Sequence, residues 1–331
     1  MSSTGMRPAT PPVAPSPAEP EEPTERRVRW LPAAAQSAAA LRGLAMASVM
    51  ANVAIVVTGG AVRLTNSGLG CPTWPRCTDA SLTPTKQYAI HGLIEFSNRL
   101  FTFVVVAVVL ATWTVAMIRR RERGLATLAV LGIPAQAVLG GITVLTHLNP
   151  WWVGGHFLLS IGIIAVTFLL WWRLREAEVD GPVHHLVRAL AVLTTAVVAV
   201  TLVIGTVVTG AGPHAGDLAE NGTIHRNGLN VQSMAQLHAD VVMVLIGLTV
   251  GLVVLVYALP LSAAVRRAAV VLLGVELAQG VIGYTQYFLN VPPLLVGLHM
   301  LGACLVWLAA LRVLLAVGAR SPAPAAVRTA A

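Results

Sequence analysis

The stretch QYAIHGLIEFSNRL (residues 87–100) sets His91, Glu95, Asn98 and Arg99 at i, i+4, i+7 and i+8 within an otherwise apolar run. On a helix these four side chains share one stripe. An imidazole, a carboxylate and a guanidinium together can hold a metal, bind an anion or stabilise a charge, and in lipid each is costly and usually functional. Three more histidines, His156, His238 and His299, lie at a comparable depth in other apolar runs. Each of the four is about 6–12 Å below the same surface at 1.5 Å of rise per residue. One buried histidine more often makes an interhelical hydrogen bond, but four at matched depth point to ligation. Two helices of a bundle can each offer an imidazole to one axial face of a haem iron. Structural zinc wants four ligands, whereas each pair comes as two histidines with no nearby thiolate, so haem is the better fit. His184 and His185 read as solvated loop residues, and His147, His214 and His225 as outer-loop residues, for which a substrate-side or gating role stays open.

These side chains have to be positioned by membrane spans. The 331-residue chain is 56% hydrophobic and only 11% charged, with a mean hydropathy of +0.75, far from the roughly one quarter charged residues of a soluble domain. Eight apolar segments are predicted as transmembrane helices: Leu41–Arg63, Gln87–Ile118, Gly124–Thr146, Trp152–Arg173, Arg188–Gly210, Gln232–Ala258, Arg266–Phe288 and Pro292–Val317. Each is long enough to cross ~30 Å of hydrocarbon, where helix is the one conformation that satisfies a continuous backbone. The fold class expected is therefore all-α, a polytopic membrane protein. Of the 22 basic residues, 17 fall in or beside the two tails and the loops between even- and odd-numbered spans. The positive-inside rule then puts both termini in the cytoplasm of a cell-membrane protein and the histidine ends outside. The +8 net charge is thus a topology signal, and nucleic-acid binding is excluded. Residues 1–40, rich in Pro, Ala and Glu, are expected to be a disordered tail without a signal-peptide core, so that the first span directs insertion. Residues 318–331 form a second tail.

The chain also repeats itself. AQAVLGGITVLTHLNPWWVGGH (residues 135–156) lies without a gap on AQGVIGYTQYFLNVPPLLVGLH (residues 278–299), a constant offset of 143 that matches Gln136, Gly140, Pro150, Val153, Gly154 and His156 with identical residues. VVTGG near the end of span 1 is echoed by VVTGAG in span 5, and AIHGLIE by QLHADVV. Four spans restore the starting side, so the expected architecture is two tandemly repeated four-helix bundles in the same orientation, residues 41–173 and 188–317, joined by a linker at 174–187. Gln136 and Gln279 are expected to hydrogen-bond between helices. Cys71 and Cys77, six apart in a Gly/Pro-rich loop on the oxidising side, can form a lasting disulfide, whose plainest role is a loop staple. Cys304 reads as packing. Asp240, two residues from His238 and so on another helix face, is not placed to orient that imidazole, and Glu276 has no assigned role.

The residues GGAVRLTNSGLGCPTWPRC (59–77), the EFSNR after His91 and the histidines of spans 4, 6 and 8 resemble the haem A synthases over about residues 41–317. The VRLTNSGLGC stretch with its following Cys is the most specific part. The resemblance implies an oxidoreductase, a membrane enzyme that oxidises the C8 methyl of haem O to the formyl of haem A for terminal oxidase assembly. It implies two successive hydroxylations with water as the oxygen source, then loss of water. It implies haem B as cofactor in the C-terminal half, on His238 and His299, and substrate haem O in the N-terminal half, with His156 as one iron ligand and Glu95 beside the other. Haem O synthase and an electron acceptor in the membrane are implied as partners, and homo-oligomerisation stays open.

At the other ligand the chain departs from the family pattern, Glu-x-x-His-Arg, because it reads Glu95-Phe-Ser-Asn98-Arg99. Asn is a poor iron ligand. His91 lies on the same face about 10 Å nearer the outside. Depth favours His91 and family position favours Asn98; His91 is taken as the expected ligand. Glu95 either serves to neutralise Arg99, or stabilises a cationic centre at the oxidised methyl carbon or positions the attacking water. Arg99 is then expected to hold a haem propionate, with Arg63 the second candidate. The resemblance further suggests that Cys71 and Cys77 are redox-active. A non-enzymatic di-haem electron carrier would explain the histidines but neither Glu95 nor the Cys pair. A transporter would need polar sites at the midplane.

Overall fold

Polar caps, rather than the first apolar residue, decide where these helices begin. In the computed structural model, which describes residues 32, 36–84, 89–175, 183–214, 216 and 225–318, the helices are α1 Ala38–Leu64, α2 Ala89–Ile118, α3 Arg123–Leu145, α4 Pro150–Arg173, α5 His185–Ala211, α6 Val231–Ala258, α7 Ala263–Phe288 and α8 Pro293–Gly318. Ser37, Asn149, Asn230 and Ser262 accept from the first-turn amides of α1, α4, α6 and α7, which satisfies donors that would otherwise be orphaned. Pro150 opens α4 at a position where its missing N–H costs nothing. These four capped helices therefore start one to three residues before the apolar runs do, whereas α2 and α8 start two and one residues after the expected Gln87 and Pro292. All eight are long and apolar enough to span a membrane, so the fold is an all-α multi-pass membrane protein. The tail expected at 1–40 lies outside the described residues except for residues 32 and 36–40, and that at 318–331 except for Gly318, as do residues 176–182 of the linker.

Helices α1–α4 pack in a closed ring (α1 on α2, α2 on α3, α3 on α4, α4 on α1), and α5–α8 form a second ring of the same order. In each ring the first and third helices face one another across the lumen, as do the second and fourth. The rings meet through α1, α4, α5 and α8, around a core that includes Val53, Val56, Ile161, Ile164, Val198, Leu202, Cys304 and Ala310. Gly60 lets Met300 of α8 lie against the α1 backbone, and Trp307 Nε1 donates to the Ile161 carbonyl of α4 at 3.0 Å. Without a hydrophobic force between spans, such small-residue contacts and interhelical bonds hold the rings together.

The α1–α2, α3–α4, α5–α6 and α7–α8 loops lie at one end, the histidine end. Gly68 N–H donates to the Gly216 carbonyl at 2.8 Å, and Arg63 Nε and Nη2 donate to the carbonyls of His214 and Thr209 at 2.6 and 3.1 Å. The ends of α3 and α7 match residue for residue. His147 and Leu148 have φ of 50° and 57°, and Asn290 and Val291 have 58° and 53°. Leu148 N–H closes onto the Thr143 carbonyl and Val291 N–H onto that of Gln286. A left-handed pair of bulky residues is uncommon, and both sit just before a helix that carries one of the four histidines.

Candidate functional site

The second ring brings two of the expected ligands together. His238 and His299 stand on opposite sides of the lumen, on α6 and α8, with ring centroids 6.4 Å apart and planes at 70°. Two metal–imidazole bonds of about 2 Å, with about 1.2 Å from each nitrogen to its ring centre, need centroids roughly 6.4 Å apart. The pair therefore has the spacing of two axial ligands on one iron. His156 and His299 each bury an Nδ1 that has no hydrogen-bond partner among the described residues, an expensive state for a polar atom in lipid, while the His238 ring has the Thr201 backbone within reach. Among the described residues, no three His, Cys, Asp or Glu side chains converge on one point, so a structural zinc site has no donor set.

Glycines on neighbouring helices make room for these rings. A Cβ built on Gly205 of α5 would lie 3.3 Å from His238 Cε1, one on Gly283 of α7 3.2 Å from His299 Cε1, and one on Gly140 of α3 3.1 Å from His156 Cε1. A larger residue would push each imidazole out of place. Gln136 and Gln279 hold the ligand helices as expected: Gln136 Nε2 donates to the His156 carbonyl and Ser160 Oγ at 3.2 and 2.8 Å, and Gln279 Nε2 to the His299 carbonyl at 2.7 Å. Cys304 is buried and free. Asp240 accepts from Gln236, leaving His238 alone. Glu276 is 3% exposed and accepts from Thr249 Oγ1 at 3.0 Å.

In the first ring the polar stripe is stitched to the α1–α2 loop. Glu95, 5% exposed, accepts from Cys71 N–H at 2.6 Å through Oε2, and from Arg99 Nε and Nη2 at 3.2 and 2.5 Å through Oε1. Arg99 also donates to the carbonyls of Cys71, Thr73 and Arg76 at 2.9, 3.1 and 3.2 Å. All five of its N–H donors are thereby engaged. These contacts tie Arg99 to the α1–α2 loop as well as to Glu95. Arg63, the second candidate for a propionate, donates to two backbone carbonyls of the second ring.

Cys71 and Cys77 form a disulfide, both buried. It closes the loop that sits on Glu95, and Trp74 of that loop packs its ring on Gly141 of α3. His91 is near the start of α2, with Nδ1 3.0 Å from Ser67 Oγ, and the Gly70 backbone lies close against the His91 carbonyl. Asn98 stands two turns deeper, accepting at Oδ1 from Thr58 Oγ1 at 2.7 Å. Thr58, Ser67 and the glycine seats were not singled out from sequence as site residues. Gly140 and Gly283 carried a signal, their identity at the repeat offset; Gly205 carried none.

A chain with these features is similar to known proteins over most of its length. Residues 42–311 match the family model of the cytochrome oxidase assembly proteins. Among the similar curated relatives, the "Heme A synthase" of Lysinibacillus sphaericus is 37% identical over 135 residues, 39% of this chain and 41% of that one. The "Heme A synthase" of Geobacillus kaustophilus is 31% identical over 137 residues, 39% and 42% of the two chains. That of Bacillus licheniformis is 31% identical over 144 residues, 42% and 47%. The matched stretch thus spans less than half the length of these relatives. With the family model reaching from the first turns of α1 into the last turns of α8, the chain belongs to the cytochrome oxidase assembly proteins, the haem A synthase family.

Proposed function

We propose that this protein is a haem A synthase, an oxidoreductase that converts the C8 methyl of haem O to a formyl group. The observation that carries this reading is the facing pair His238 and His299 at 6.4 Å, together with a carboxylate, Glu95, buried at the same end of the other ring. A bare electron carrier has no use for the second feature. The two rings act as separate haem-binding units, residues 41–173 for the substrate and 188–317 for haem B, and their matched glutamines, glycines and turns support descent from one duplicated unit. The distribution of basic residues supports a cell-membrane protein with cytoplasmic termini and an outward-facing histidine end.

His238 and His299 would hold haem B, which would supply one-electron redox chemistry there. Gly205 and Gly283 seat the two imidazoles, and Gln279 fixes the backbone that carries His299. His156, seated on Gly140, binds the iron of haem O. The first hydroxylation takes CH3 + H2O to CH2OH + 2H⁺ + 2e⁻, and the second takes CH2OH + H2O to CH(OH)2 + 2H⁺ + 2e⁻. The second gives a geminal diol, which loses water to leave the aldehyde, and a membrane-borne one-electron acceptor takes the electrons in turn. Positive charge develops at the methyl carbon as it is oxidised. Glu95, held by Cys71 N–H and Arg99, supplies the fixed negative charge that stabilises it. Arg99 is a positioning residue: it locks the carboxylate and the disulfide loop together. The Cys71–Cys77 bond keeps that loop closed over the site, and haem O reaches the enzyme from haem O synthase in the same bilayer.

The test is pigment extraction from membranes of a haem-O-producing host, with and without this protein. Haem A in the first and not in the second is expected. Bound haem without haem A points to the carrier, and no bound haem points to the transporter.

A further inference from the structure

Three of the four lumen positions at the histidine end repeat one contact: a glycine on one helix seats an imidazole on the next. They are Gly140 for His156, Gly205 for His238 and Gly283 for His299. The fourth position has the same glycine and a different side chain. A Cβ on Gly59 of α1 would lie 4.0 Å from Asn98 Nδ2 of α2, just as Gly205 of α5 lies under His238 of α6. By this contact, longer than the other three, Asn98 stands to α1 as His238 stands to α5, on the helix that faces α4 across the ring. His91 is seven residues away, about 10 Å nearer the end of the bundle. Ser67 Oγ and the Gly70 backbone hold it there, two residues into α2 where His156 is six into α4, and bringing it to the place of Asn98 would mean unwinding two turns of α2.

We propose that the substrate haem is held through His156 alone, with its opposite axial face left open beneath the Asn98 amide as a site for one small oxygen ligand or anion. An amide is a weak iron ligand where imidazole is a good one. Thr58 Oγ1 donates to Asn98 Oδ1 at 2.7 Å, so the NH2 group is the part left over. An NH2 group donates and does not ligate; it hydrogen-bonds a water or anion on the iron. His91 instead ties the start of α2 to the α1–α2 loop. This inference rests on the reading of the first ring as the haem O site.

The experiment uses the full-length protein purified from a haem-O-producing host, reduced and exposed to carbon monoxide, with substrate-site haem counted as haem O plus haem A. Substrate-site haem should bind carbon monoxide and haem B should not. His91→Ala should leave the reactive fraction unchanged, while Asn98→His should cut it about ten-fold or more by filling the sixth position. In the ferric protein, Asn98→Ala should weaken fluoride binding about ten-fold, the cost of a lost hydrogen bond to a charged ligand. Substrate-site haem that is inert to carbon monoxide, and becomes reactive in His91→Ala, would overturn this inference and leave the proposed function standing. Full carbon monoxide reactivity in a folded Asn98→His protein would overturn the placement of Asn98. A wild-type protein that carries haem B but neither haem O nor haem A would overturn both the inference and the function beneath it.

Discussion

Replacing Glu95 with Gln separates the two tasks of that carboxylate. Its oxygens accept three N–H groups, one from Cys71 and two from Arg99. Gln offers one carbonyl oxygen. If that oxygen stays on Arg99, the new NH2 group meets Cys71 N–H, donor against donor. A buried unpaired donor costs ~1–3 kcal/mol. Arg99 also loses its counter-ion, a loss of about 3–5 kcal/mol for a fully buried pair. Its side chain is 22% exposed and keeps three carbonyl acceptors, so a total near ~3 kcal/mol is expected, felt mainly as a loosened α1–α2 loop. If Glu95 also faces the developing cation, the barrier rises by another ~3–4 kcal/mol, at least about 100-fold in rate. Thermal unfolding and haem A yield should be measured on the same preparations of Glu95→Gln and of Glu95→Gln/Arg99→Met. The double variant removes the uncompensated charge. We expect it to stay loosened at the α1–α2 loop, since the carbonyls of Cys71, Thr73 and Arg76 lose their donor, and to accumulate haem O or hydroxymethyl haem in place of haem A. Near-normal haem A from well-folded Glu95→Gln protein would remove Glu95 from the chemistry and leave it a partner for Arg99.

Two further outcomes follow from the same geometry. Gly283→Val should lower haem B content with helicity unchanged, because its side chain enters the space of the His299 ring at an overpacking cost of ~1–3 kcal/mol; wild-type haem B in this variant would refute the glycine seat. Cys71 and Cys77 should resist a membrane-impermeant thiol reagent on intact cells and react once reductant is added; labelling without reductant would contradict the pairing, and none after reduction the outward orientation.

Much of this was legible in the sequence because lipid leaves few choices. Continuous apolar runs in a bilayer must be helices, and the runs at 41–63 and 188–210 lie inside α1 and α5. The 143-residue offset put Gln136 and Gln279, and His156 and His299, in register, and the structure gives each Gln the same backbone partner. What stayed hidden was phase across helices. His91 and Asn98 share a stripe, and nothing along the chain says which of the two faces a glycine; that depends on how α1 packs on α2. The carbonyls of Cys71, Thr73 and Arg76 that accept from Arg99 could not be read along the chain, because they lie in a loop whose path is set by tertiary contacts. Helix starts were read late at Ser262 and Asn149, where a polar cap precedes the apolar run by several residues.

The most direct test of the account is quantitative haem extraction from four purified proteins produced beside a haem O source: wild type, His238→Ala, His299→Ala and His156→Ala. The account predicts that the first two variants lose haem B, while His156→Ala keeps haem B and loses haem O and haem A. Haem B retained at the wild-type level in both His238→Ala and His299→Ala would contradict it.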